Sequence, residues 1–206
     1  MKDNILYADL KLEELELGAF TPRLKVDQNY LDTLADDIKS VGLQKPILCR
    51  LHPENLNRIQ VVDGEQIVRA IKRLGWKTVR SEVKKMSDED AMFLAMHNNE
   101  MHGLRLDQME EALHLLRLAS PPYNWAEWKI AEKFGKSQPW VHERLDVARN
   151  VSEALKKSMI TRVITTSQAR HIAQLPSDEQ EEVVNTIAEP KLSVPTTKVY
   201  LFWSNP

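Results

Sequence analysis

The chain reads as α+β, a small mixed α/β domain followed by an all-helical domain. Three observations predict this. Over the first hundred residues, short apolar runs alternate with stretches of helical period. From Ser87 onward nearly every segment has helical period. Residues 131–145 then carry the spacing of a helix, a tight turn and a second helix.

Asn4 to Ala8 is a short apolar run and reads as the first strand. From Leu31 to Val41, apolar residues recur at 31, 34, 35, 38 and 41, the helical period, and Gly42 ends the helix. Pro46 to Leu51 reads as a strand, His52 to Arg58 as a polar turn, and Ile59 to Val62 as a strand running into Asp63-Gly64. Glu65 to Leu74 returns to helical period with Ile67, Ala70, Ile71 and Leu74 inward, and Gly75 closes it. Thr78 to Val83 is a further strand. Ser87-Asp-Glu-Asp has the form of a capping box, and Leu106 to Leu118 is strongly amphipathic until Pro121-Pro122 stops it. The tail from Pro190 to Pro206 is polar with three prolines, which predicts a flexible extension. The expected divisions are 1–100 for the α/β domain, 101–120 for a connecting helix, 121–189 for the helical domain and 190–206 for the extension.

Within residues 131–145 the local chemistry is that of a helix-turn-helix. Ala131 leaves room for a crossing helix, and Gly135 allows the left-handed backbone that ends the first helix. Ser137 stands where an N-cap belongs, Pro139 falls in the first turn, and Val141 and Leu145 lie four apart on the inward face. Gln138, His142 and Arg144 are read as the outward face, where they can meet base edges or phosphates of duplex DNA. Lys136, Ser137 and Trp140 complete the DNA-facing set at this turn. A plain structural hairpin is the alternative, but it has no need of this turn chemistry and this polar face together.

Charge agrees with that reading. The net charge of −2 argues by itself against nucleic acid. Residues 121–170, however, hold nine basic and five acidic side chains, a surplus of four that leaves the other 156 residues six in deficit. No apolar run of about 18 residues occurs, and the first residues lack the apolar centre of a signal peptide. Cys49 is the single cysteine, which excludes an internal disulfide and predicts a core residue in a cytoplasmic protein.

A second site is read at Asp63-Gly64-Glu65. A glycine between strand and helix lets a ligand approach the backbone, and the helix N-terminus favours a phosphate, with Arg69 one turn on. The plainer reading is a turn glycine followed by an acid that suits the helix dipole. Gly42, Lys45 and Pro46 carry the same two readings, as helix cap and strand entry or as part of the pocket. Arg23 in Thr21-Pro-Arg23 does so as a solvated loop residue or a ligand contact. His97, His102 and His114 with Glu100 and Glu110 lack a recognisable ligand spacing, so no metal is expected. Trp125, Trp128 and Trp140 are read as braces of the helical domain.

Together these pieces resemble the ParB partition proteins over nearly the whole chain. Thr21-Pro22-Arg23 matches the family's proline-arginine element. Gly42-Leu-Gln-Lys-Pro46-Ile47 resembles its G-x-x-Q-P-I segment, and Gly64-Glu65-Gln66-Ile67-Val68-Arg69-Ala70 its G-E-R-R-x-R-A segment. Asn99 to Gly103 before Leu106 to Ala112 is similar to E-N-x-Q-R before L-x-x-x-E-E-A. Thr166 to Arg170 is similar to G-H-A-R, and Leu192-Ser193-Val194 to a later L-S-V turn. The resemblance implies a ParB/sulfiredoxin-like first domain and a helix-turn-helix second domain acting in plasmid partition or chromosome segregation. It adds Arg170 to the DNA-facing set.

It also implies a homodimer, a ParA-type ATPase as partner, and a nucleotide pocket for CTP or another nucleotide with magnesium. Arg23, Gly42, Lys45, Pro46, Gly64, Glu65 and Arg69 would line that pocket. Gln66 and Ile67 replace the family's paired arginines, and Gly103 its last arginine, which predicts weak CTP binding. Family members carry a basic N-terminal tail and a C-terminal dimerisation domain. Here a strand begins within a few residues of Met1 and the chain stops soon after the third helical unit, as in a short member or a fragment. The same core resembles sulfiredoxin, which requires a cysteine at the glycine turn that is missing here. It also resembles ParB-fold kinases and nucleases, in which Glu65 would be a catalytic carboxylate acting on a nucleotide.

Overall fold

A computed structural model describes residues 5–55, 57–102, 106–161 and 163–188. The chain divides into two compact units at 105/106.

The first unit is built on a five-stranded mixed sheet in the order β1-β5-β3-β4-β2. β1 (Ile5–Lys11) pairs antiparallel with β5 (Thr78–Lys84), and β5 pairs parallel with β3 (Ile47–Leu51). β3 pairs antiparallel with β4 (Ile59–Asp63), and β4 pairs parallel with β2 (Leu15–Glu16). α1 (Gln28–Val41) and α2 (Glu65–Arg73) bury Leu31, Ala35, Ile38, Val68 and Ile71 with Ile47, Cys49, Val61 and Val79 of the sheet. Each helix follows from its ends. Asp27 caps α1 by accepting from the Asn29 and Tyr30 N–H groups, and Gly42 closes it at φ +75°. Two-residue β2 has no separate signal in the sequence, because a strand that short shows no periodicity.

α3 (Asp88–His102) begins at the predicted cap, where Ser87 Oγ accepts from the Asp90 N–H at 3.1 Å. At the foot of this helix lies Arg50, which sequence reading left as an ordinary strand residue. It is 3% exposed, pairs with Asp88 at 2.6 Å, donates to Gln60 Oε1 at 2.9 Å and stands 4.5 Å from the centroid of the Phe20 ring. A buried guanidinium needs such a set of partners, since burial without them costs several kcal/mol, of order 3–5. Cys49 is fully buried, and burial pushes its thiol up to about 12, partly offset by a hydrogen bond with Ser81. Its place is the core, as expected.

The second unit is helical: α4 (Gln108–Ala119), α5 (Glu127–Phe134), α6 (Gln138–Asn150), α7 (Glu153–Ile160), α8 (Thr166–Ile172) and α9 (Ser177–Ala188). Asp107 and Glu110 form a reciprocal capping box at the start of α4. The segment 101–120, read as one connecting helix, holds the end of α3 and then α4, which packs against α6 within the second unit. Its core includes Leu115, Leu118, Ile130, Val141, Leu145, Leu155, Ile164 and Ile172. Gln180 of α9 is fully buried and serves three helix ends. It accepts from the Ser152 N–H at 2.8 Å and donates to the carbonyls of Asn150 and Leu175 at 2.5 and 2.9 Å.

The region 190–206, with Leu192-Ser193-Val194, and the matched position Gly103 lie outside the described residues, as do the side chains of Glu100 and His102. Among the described residues no helix is long and apolar enough to cross a membrane. No three His, Cys, Asp or Glu side chains among them are grouped to hold a metal ion.

Candidate nucleic-acid interface and phosphate turn

The turn between α5 and α6 has the geometry its residues predict. Gly135 takes φ +62°, ψ +33°. The Lys136 N–H reaches the Ala131 carbonyl at 2.9 Å and the Gly135 N–H reaches Glu132 at 3.2 Å, the paired bonds that close a helix on a left-handed residue. Ser137 then caps α6, its Oγ accepting from the Trp140 N–H at 3.3 Å, and Pro139 sits in the first turn. Ala131 is buried at the crossing, and Val141, Leu145 and Ala148 face inward.

The polar residues of α6 divide differently from the expectation. Gln138 is exposed at the first helical position. His142 is 66% exposed, with Nδ1 at 3.1 Å from Glu127 Oε2. Arg144 does not stand on the outward face with them. Its Nε donates to Glu111 of α4 at 2.9 Å and its guanidinium lies 3.7 Å from the Trp140 ring centroid, so the side chain is 17% exposed. The reason is angular: six residues after Gln138 is about 240° around the helix, toward α4. Arg149, which sequence reading passed over, lies close to the azimuth of Gln138 and pairs with Glu127 at 3.4 Å. Its signal was the helical period, since eleven residues is almost a whole number of turns.

Lys136 Nζ lies 5.2 Å from the Trp140 ring centroid, and Trp140 is partly buried between the two cations. Arg170 of α8 donates to Gln108 at 2.7 Å and pairs with Glu143 of α6 at 3.3 Å. Trp125 is buried with Lys129 over its ring, as a brace should be, whereas Trp128 is 60% exposed and braces nothing.

In the first unit the residues around Gly64 come together in part. Gly64 caps α2 at φ +98°, and a Cβ there would lie 2.6 Å from Ile47 Cγ2. The strand entry through Lys45 and Pro46 therefore runs beside the turn, with Lys45 exposed. Gly42 caps α1 instead, its N–H on the Ile38 carbonyl at 2.9 Å. Arg23 Nη2 donates to Asn99 Oδ1 at 3.2 Å, and Asn98 donates to Asp63 at 3.0 Å, so α3 reaches the turn through a residue that sequence reading missed. Its signal was the Asn-Asn pair inside an otherwise helical run.

Glu65 is 12% exposed at its side chain, and both of its oxygens are engaged. One accepts from the Gly18 N–H at 3.0 Å, the other from Arg69 at 2.5 Å. Gln66, in place of an arginine of the resemblance, leaves its Oε1 buried without a hydrogen-bond partner among the described residues.

Comparison with known proteins agrees with this division. Residues 2–100 match the model of the ParB N-terminal domain, and residues 105–201 match that of the ParB HTH domain. A probable chromosome-partitioning protein ParB from Vibrio cholerae is 30% identical over 191 residues, 93% of this chain and 64% of that protein. A nucleoid occlusion protein from Bacillus cytotoxicus is 29% identical over 180 residues, 87% of this chain and 60% of that one. This chain thus spans less than two thirds of the length of these relatives. The crystal structure of C-terminally truncated ParB from Caulobacter crescentus, complexed to the centromeric parS site, matches with a TM-score of 0.50 and 25% identity. It covers 94% of this chain and 98% of that one. With both of its domains matched in order along almost its whole length, the chain belongs to the ParB family.

Proposed function

We propose that this chain binds duplex DNA sequence-specifically and acts in plasmid or chromosome partition. The observation that carries this reading is the α5–Gly135–Ser137–α6 turn, which leaves Gln138 exposed at the start of a helix that lies in the basic segment. A helix so presented enters a major groove with its N-terminal residues on base edges. The Caulobacter relative, complexed to parS, supports it. Gln138 and His142 are the readers, Lys136, Arg149 and Arg170 the phosphate-facing cations, and Ser137 fixes the entry of the helix. Arg144 reaches DNA only by exchanging Glu111. The working form is a cytoplasmic homodimer on a two-fold site with a ParA-type ATPase as partner.

The Gly64 turn is an anion site at the N-terminus of α2, with Arg23 and Lys45 beside it. Arg69 is taken up by Glu65. This geometry favours binding over catalysis, since Glu65 has no oxygen left to accept a substrate proton.

Selection of bound duplexes from a random pool tests the reading. A single motif should emerge, and Gln138→Ala should cost the selected duplex about 1–3 kcal/mol in anisotropy titrations. Binding that enriches no sequence would overturn it.

A further inference from the structure

The cations of the α6 and α8 surfaces meet carboxylates of their own unit: Arg144 meets Glu111, and Arg170 meets Glu143. On Glu127 two of them converge, with Oε2 at 3.1 Å from His142 Nδ1 and Oε1 at 3.4 Å from Arg149 Nη1. The Glu127 side chain is 24% exposed, against 66% for His142 and 49% for Arg149, so the acid sits beneath the cations it holds. Glu127 is also the first residue of α5, where the free N–H groups and the helix dipole favour negative charge. A helix N-terminus flanked by cations is the constellation that receives a backbone phosphate when the first helix of a helix-turn-helix crosses DNA. Here a carboxylate of the chain stands in that place.

We propose that Glu127 is a specificity-determining residue, an internal stand-in for a DNA phosphate that holds His142 and Arg149 and keeps sequence-independent binding weak. This rests on the DNA-binding reading above. The physical reason is a difference in what each kind of duplex supplies. Sequence-independent binding is driven by cations that exchange counterions for phosphates. A cation already neutralised by Glu127 has less to exchange, and the carboxylate repels the incoming phosphate. A cognate duplex offsets that cost with base contacts, and a random duplex has none to offer. Exposed ion pairs contribute little to folding, so the exchange does not threaten the fold.

The test uses the full chain with Glu127→Gln, on a random-sequence duplex and on a duplex selected by the wild type, by fluorescence anisotropy across a salt series. The random duplex should bind about threefold or more tighter near 0.1 M salt, with the slope of log K against log salt steeper by about one. The selected duplex should gain less, so that the ratio of the two affinities falls. Adding Arg149→Gln to Glu127→Gln should return the slope toward the wild-type value. A circular-dichroism melt establishes that each variant is folded, and Glu127→Ala carries the same expectation if the glutamine variant is not. Unchanged or weaker random-duplex binding by a folded variant would overturn the proposal, as would a slope that stays steep in the double variant. A wild type that binds no duplex at any salt would instead overturn the DNA-binding reading itself.

Discussion

At Gly64 one hydrogen atom in place of a side chain decides the local structure. The residue holds φ +98° and packs directly on Ile47, so Gly64→Ala meets both a left-handed backbone penalty and a 2.6 Å contact with a β-branched side chain. That branch cannot swing aside as a flexible tip would, because Ile47 is 1% exposed. The substitution should destabilise the first unit by about 2–4 kcal/mol, read as a lowered thermal midpoint. A midpoint within a degree of the wild type would show that β3 can shift to make room. Glu65, beside it, is a lesson in the same residue-scale geometry. Its type and position suggest chemistry, but a main-chain donor from 47 residues away and a guanidinium one turn on convert it into a clamp between the Gly18 loop and α2.

Elements are joined in the second unit by side chains that sequence spacing assigns to solvent. Glu111 of α4, Arg144 of α6 and the Trp140 ring form a continuous stack that ties the start of α6 to α4. Both members of the ion pair are more than four-fifths buried, so removing one leaves the other short of a partner. A double-mutant cycle with Glu111→Gln and Arg144→Gln should give a coupling of about 1 kcal/mol in chemical denaturation, within the range for contacting residues. A coupling indistinguishable from zero would mean that the pair is an exposed, exchangeable contact and that Arg144 is free to read bases. The turn itself is set by short-range chemistry. Gly135 and Ser137 need only their own neighbours to end one helix and begin the next.

On the scale of the whole molecule, charge is sorted by surface and not by unit. Residues 1–105 hold sixteen basic and seventeen acidic side chains and residues 106–206 twelve and thirteen, so each unit carries −1. The basic surplus of residues 121–170 is therefore balanced by acids elsewhere in the second unit, on α4 and α9. Each unit has its own buried core, which makes separate expression of 1–105 and 106–206 a fair experiment. The second unit should bind duplex DNA and the first should not. In calorimetric titrations the first should take CTP at least about a hundredfold more weakly than a pocket with both arginines, each charge-assisted contact contributing about 1.5–3 kcal/mol. Equal DNA binding by the two units would contradict the assignment of α6 as the reading helix.

Periodicity and turn chemistry in the sequence were enough for the helices, four of the five strands, the cap at Ser87, the Gly42 and Gly135 helix ends and the helix-turn-helix itself. Each of these depends on residues within one or two turns of one another, and local backbone preference settles them. Cys49 was legible as core for the same reason, since an apolar alternating strand leaves little other place for it. What remained hidden is the pairing of polar side chains across long separations: Arg50 with Asp88, Asn98 with Asp63, Glu65 with Gly18, Arg144 with Glu111, and His142 and Arg149 with Glu127. A charged residue looks the same in sequence whether it faces water, a phosphate or a buried partner. Only the packing of helices and sheet chooses among these, because the cost of burying a charge is met by whichever opposite group the tertiary fold brings within about 3–4 Å.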